Sequence, residues 1–156
     1  MSELNQLLLG LDYKTNFNEH DFYLSESNSR AFDMINKWPE WDKKILNISG
    51  EKFSGKSHLA NIFKLKSKAF LINGSKIDNS IFKKIKLYES IIIDDFDECY
   101  EEEILYSIFN LVDQDSKYML INSLKPISEI KFNLPDLTSR SKNCIYVEIE
   151  NPDDDL

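Results

Sequence analysis

"GEKFSGKS", Gly50 to Ser57, follows directly on the apolar run "KILNIS" (44–49) and runs into "HLANIF" (58–63). It fits the spacing G-x-x-x-x-G-K-[ST], and two of the four glycines in the chain frame it. The run before it lacks polar alternation, as expected of a strand covered on both faces. The residues after it set Leu59, Ile62 and Phe63 on one side of a helix. A glycine-framed loop between a buried strand and a helix N-terminus gathers backbone N–H groups into a concavity for phosphate oxygens. The candidate residues for binding a nucleotide, ADP or ATP, are therefore Gly50, Glu51, Lys52, Phe53, Ser54, Gly55, Lys56 and Ser57, with His58 beside them. Lys56 would neutralise the terminal phosphates, and the Ser57 hydroxyl would ligate Mg²⁺. Neither His58 nor His20 has a Cys or His companion at metal-ligand spacing.

Working outward, "SIIIDD" (90–95) reads as a second buried strand ending in carboxylates. At such an end Asp94 would hold Mg²⁺, directly or through water, and Asp95 would orient an attacking water. Asp97 and Glu98 read as the solvated start of a turn. Further strands are expected at "KAFLING" (68–74), "KYMLINS" (117–123) and "CIYVEI" (144–149). Further helices are expected in four places. "SESNSRAFDMINKW" (25–38) offers Ser27 or Asn28 as N-cap and Ala31, Phe32, Ile35 and Trp38 at helical spacing, and Pro39 stops it. "IDNSIFKKI" (77–85) and "LPDLTSR" (134–140) are short. "EEEILYSIFNLVDQ" (101–114) has an acidic first turn suited to the helix dipole, and Ile104, Ile108, Leu111 and Val112 form an apolar stripe. Strands alternating with helices predict a three-layer α/β P-loop NTPase fold, a five-stranded parallel sheet with right-handed crossovers and flanking helices. Asn122 ends a strand, where it is either a polar sensor between phosphate and carboxylate or a strand-capping residue. Arg140 is either a surface ion-pair partner or a fixed cation reaching a phosphate on a neighbouring subunit.

Composition limits the partners. With 156 residues and abundant aromatics the chain can bury a core of its own. Its formal net charge is −8, and no basic stripe is visible, so a strong direct grip on DNA is not expected. Arg30 and Arg140 are the only arginines. Cys99 and Cys144 lie far apart without CxxC spacing, and the leucine run at 7–9 is too short to cross a bilayer and lacks the features of a secretory signal. A cytoplasmic protein with no membrane association is the expectation.

"GKSHLA", the paired aspartates of "IIIDDFDE", "SNSRA" and "PDLTSR" together resemble the DnaA-related branch of the AAA+ ATPases, and most closely the Hda and HdaA-type proteins. "INKWPEW", "LYSIFNLV" and "NPDDDL" add to that likeness, which spans residues 4–156. It implies an AAA+ base domain over 21–156 behind an N-terminal arm, 1–20. Phe22, Tyr23 and Leu24 lie where relatives contact the base. The resemblance also bears on "NQLLLGLD" (5–12), whose leucines otherwise read equally as cover for the core. Hda proteins begin with a Gln-Leu-x-Leu-x-Leu peptide that docks on the replication sliding clamp, and Gln6, Leu7, Leu9 and Leu11 match it. Such a peptide inserts leucines into a preformed groove and gains avidity from a ring of identical grooves.

What the resemblance implies is a regulator of replication initiation that promotes hydrolysis of DnaA's ATP. Arg140 would be the finger acting in trans, either on DnaA or within a homo-oligomer; Asp95 and Asn122 would serve the chain's own nucleotide. Two departures stand out. Phe53 occupies a loop position where relatives usually have glycine, and the chain ends at Leu156, where the helical lid of an AAA+ protein begins. Both point away from efficient ATP turnover by this chain itself and toward action on a partner's ATPase. A DnaC-type helicase loader shares the "GKSHL" and Asp-Asp features. An interaction module with a degenerate nucleotide site is the third reading.

Overall fold

The computed structural model describes residues 25–150. The proposed clamp-binding residues Gln6, Leu7, Leu9 and Leu11, and the base-contacting segment Phe22, Tyr23 and Leu24, lie outside the described residues. In chain order the elements are α1 (Ser29–Lys37), β1 (Ile45–Ser49), α2 (Lys56–Ser67), β2 (Phe70–Asn73), α3 (Ile81–Ile85), β3 (Ser90–Asp94), α4 (Glu102–Gln114), β4 (Tyr118–Ser123), α5 (Pro135–Arg140) and β5 (Ile145–Glu148). Every expected strand and helix is present, with ends shifted by a few residues at most. No helix among the described residues is long and apolar enough to cross a membrane.

The five strands are all parallel and run in the order β2-β3-β4-β1-β5. Alternate side chains of a strand face opposite sides, and here both sides are apolar. Ile45, Ile91, Ile93, Met119 and Ile121 join one core with Ile81, Ile85, Leu105, Ile108, Phe109, Val112 and Leu137. Leu46, Ile48, Ile92, Leu120 and Val147 join the other with Ala31, Ile35, Leu59, Ala60, Ile62 and Phe63. Helices α3, α4 and α5 therefore cover one face of the sheet and α1 and α2 the other. Three layers follow.

One expectation needs correction, and a second holds for position alone. The face of α4 that packs on the sheet is Leu105, Ile108, Phe109 and Val112, while Ile104 and Leu111 are only partly buried. An i, i+3, i+4, i+7 set can be drawn from two neighbouring phases of one apolar helix, and only the sheet selects between them. Asn28 occupies the N-cap position of α1 but makes no side-chain cap bond; its Oδ1 accepts the Ser25 amide at 3.0 Å.

Asn47 is the polar exception inside β1, with no exposed surface. Its amide donates to the Ile121 carbonyl and to Ser123 Oγ, each at 3.0 Å, and its Oδ1 accepts the Ile127 N–H at 2.9 Å. One side chain thus ties the segment after β4 back to β1. Asn47→Ala is expected to lower stability by about 2–3 kcal/mol, because it leaves the buried Ile127 N–H without an acceptor. Urea denaturation of the two proteins measures this.

Candidate functional site

In a parallel sheet buried on both faces, polar side chains can gather only where strands end. Four strands deliver them here at their C-terminal ends. Ser49 of β1 leads into the Gly50–Ser57 loop, β3 ends on Asp94, β2 ends on Asn73 paired with Asp94, and β4 carries Asn122 paired with Ile48. Lys52, Phe53, Gly55, Lys56, Ser57, His58, Asp94 and Asp95 line one cleft of about 510 Å³ there, together with Leu124. The sequence separates these groups by up to seven tens of residues; the sheet brings them to one crevice.

The loop turns into α2 at Gly55, whose φ of 102° lies in the left-handed region that glycine adopts without cost. Lys56 opens α2 and is 8% exposed. Its ammonium donates to the carbonyls of Gly50 and Glu51. Burial lowers the Lys56 pKa, opposed by the negative charges of Asp94, Asp95, Asp97 and Glu51. The Ser57 hydroxyl donates to Asp94 Oδ2 at 2.9 Å. Asn122, fully buried, donates through Nδ2 to the Lys56 carbonyl at 3.0 Å and to Asp94 Oδ1 at 3.2 Å. It therefore sits within β4 and bridges the start of α2 to the β3 carboxylate, so it does not cap a strand. Its Oδ1 and the buried Ser54 hydroxyl have no hydrogen-bond partner. A hydroxyl and a carboxylate in contact at the edge of an open cleft are hard oxygen donors of the kind Mg²⁺ takes, and the donor set fits that ion.

Asp95 is held more tightly than the sequence suggested. It has φ 52° and ψ 52°, a left-handed conformation that Asp tolerates better than most residues. Asn73 donates to its Oδ2 at 2.7 Å. Gly74 packs on its backbone: a Cβ at Gly74 would lie 2.2 Å from the Asp95 carbonyl oxygen, so only glycine fits. Neither Asn73 nor Gly74 is among the site residues that the sequence pattern singles out. The signal available was the Asn-Gly closing "KAFLING". Asp97 also departs from expectation. It is partly buried, and its Oδ2 accepts the Leu124 N–H at 2.6 Å, tying the turn after β3 to the segment after β4. Glu98 is exposed, as a turn residue would be.

Arg140 is not brought to this cleft. It ends α5 and lines a separate cavity with Ile45, at the opposite end of β1 from the loop. Its Nη1 is 3.8 Å from Asp113 Oδ2. No polyphosphate held in the loop can reach it from within the same chain.

Phe53 is the anomaly. Its φ is 62°, and its side chain is fully exposed at the cleft. A bulky residue in the left-handed region is strained, typically by about 1–2 kcal/mol, and here no packing offsets that cost.

No protein-family profile matches the chain, and no curated protein matches it in sequence. Solved structures do match in fold. The AMPPCP-bound DnaA from Aquifex aeolicus superposes with a TM-score of 0.71 at 18% identity, over 84% of this chain and 49% of that one. Domain III of the Thermotoga maritima replication initiation protein DnaA gives a TM-score of 0.68 at 18% identity, over 93% of this chain and 70% of that one. The Thermotoga maritima RuvB Holliday junction branch migration motor gives 0.59 at 17% identity, over 86% and 48%. Over most of its own length the chain thus shares the fold of these DnaA and RuvB structures, and it spans about half the length of the DnaA structure from Aquifex.

Phe53→Gly should leave stability unchanged or raise it by up to about 1 kcal/mol, since relief of strain is partly cancelled by the freer unfolded chain. Phe53→Val should lower it by about 1 kcal/mol, because a β-branched residue tolerates positive φ least. Thermal denaturation of both variants against the parent checks the ordering.

Proposed function

We propose that this chain is a nucleotide-binding regulator of replication initiation, DnaA-related and Hda-like. It binds ADP or ATP with Mg²⁺ in the cleft, is tethered to the sliding clamp through Gln6, Leu7, Leu9 and Leu11, and promotes ATP hydrolysis by DnaA. The observation that carries the nucleotide half is the contact of the Ser57 hydroxyl with Asp94, beside buried Lys56 and with Asn122 bridging both. The regulatory half is supported by the position of Arg140, at the opposite end of β1 from the chain's own cleft.

In this reading the α2 N-terminus and the loop amides receive phosphate oxygens, and Lys56 moves from the Gly50 and Glu51 carbonyls onto them. Ser57 and Asp94 hold the ion, which when bound neutralises phosphate charge. Asn122 keeps Asp94 aligned with the start of α2. Arg140 acts on the nucleotide of the partner, where an arginine supplied in trans is worth roughly 10³–10⁵ in rate. The strain at Phe53 favours a second reading: an interaction module in which nucleotide is held weakly and serves assembly rather than turnover.

Three measurements separate these. In hydrolysis of ATP by DnaA with DNA-loaded clamp, Arg140→Ala is expected to abolish stimulation while leaving clamp binding intact, and Leu9→Ala with Leu11→Ala to abolish clamp binding. Equal stimulation by the Arg140 variant would exclude the finger role, and undiminished clamp binding by the double variant the tether. Calorimetric titration with ADP and Mg²⁺ is expected to show binding that Lys56→Ala weakens at least about tenfold, the loss typical of a charge-assisted contact. No measurable binding by the parent chain would favour the interaction module.

A further inference from the structure

The cavity that holds Arg140 has a composition of its own. In a chain of net charge −8, three cations, Arg140, Lys43 and Lys44, border a single space of about 330 Å³. Two carboxylates, Asp42 and Asp113, and the amide of Asn143 complete its polar rim, over a floor of Ile45, Phe109 and Val112. That volume sits at the low end for ligand sites, room for a charged end group rather than a whole nucleotide. Lys44 is already engaged, its ammonium 4.7 Å from the centre of the Tyr118 ring. Lys43 is exposed.

Arg140 and Asp113 are held in a specific way. The guanidinium approaches the carboxylate by one contact of 3.8 Å, beyond hydrogen-bond distance, with side chains 38% and 69% exposed. A bidentate arginine–carboxylate pair lies nearer about 2.8 Å and occupies two donors. This one leaves the donor fork open toward the cavity. It is also cheap to break, since an exposed pair contributes little.

We propose that this cavity is an anion receptor in which Arg140 and Lys43 grip a phosphate-bearing end group, and that Asp113 is its built-in competitor. Asp113 is a positioning residue. It keeps the Arg140 fork over the cavity when no anion is there, and yields it to a multivalent anion with more charge to offer. That the anion belongs to the nucleotide of a partner ATPase rests on the trans reading above; the receptor itself does not.

The probe is inorganic tripolyphosphate, titrated into the full chain and followed by backbone amide NMR. Amides at 42–45 and 140–143 report this cavity, separately from those at 50–58. Saturable shifts are expected in the first set. Arg140→Gln and Lys43→Gln should each weaken binding there about tenfold. Asp113→Asn should tighten it about two- to fivefold, the range spanned by one exposed ion pair, with no change in thermal stability, and Asp113→Glu should restore the parent affinity. Absence of shifts at 42–45 and 140–143, or an affinity indifferent to Asp113→Asn, would overturn the proposal. Should tripolyphosphate bind as expected while the partner's hydrolysis is not stimulated, the trans reading fails and the receptor stands. Stimulation that needs Arg140 but ignores both Lys43 and Asp113 would remove the receptor and spare the reading.

Discussion

The Ser57 hydroxyl donates to Asp94, and the Asn122 amide reaches the same carboxylate from the other side. Those bonds join the start of α2 to the C-terminal ends of β3 and β4, which are distant in sequence, and every functional inference about the cleft depends on them. They form because β1, β3 and β4 are adjacent and parallel, so their C-terminal ends arrive together. The strand interiors are apolar on both faces, which leaves the ends as the place for polar side chains. Asn47 is the exception within β1, and all its polar atoms are engaged in bracing the segment after β4. The cleft is thus the polar rim of an otherwise apolar scaffold.

Around that rim, restraint and strain occur side by side. Asp95 is fixed by Asn73 and by the close approach of Gly74. Asp97 fastens the adjoining turn to Leu124. Phe53, in the same cleft, is held at positive φ with nothing packed on its ring. Strained residues of this kind cluster at functional sites, where their cost is borne by the surrounding structure.

The molecule also has two polar ends. Carboxylates, Lys56 and the N-terminus of α2 meet at the C-terminal edge of the sheet, while Arg140, Lys43 and Lys44 surround a cavity at the start of β1. A parallel sheet makes this polarity unavoidable, since all strand starts lie on one side and all strand ends on the other. The cleft and the cavity that borders Arg140 therefore open at opposite ends of the sheet.

Much of this was legible in the residues themselves. "GEKFSGKS" after an apolar run and "SIIIDD" further on identify the fold class, because glycine at a left-handed turn and a carboxylate ending a buried strand are local requirements that local sequence must meet. The apolar runs likewise set every strand to within a few residues. What the sequence left open was non-local. The buried face of α4 came out one step round the helix from the expected stripe, since several apolar phases exist and only contact with the sheet selects one. Asn73, Gly74 and Asp97 act through partners beyond the ends of other strands; the Asn-Gly closing "KAFLING" announces a turn, but not the carboxylate that it holds. Arg140 could be read as ion pair or free cation; packing made it a loose pair over a cavity. Backbone preference and hydrophobic pattern are properties of short segments and can be read from them. Which polar atoms meet is decided by strand order, and strand order exists only once the chain is folded.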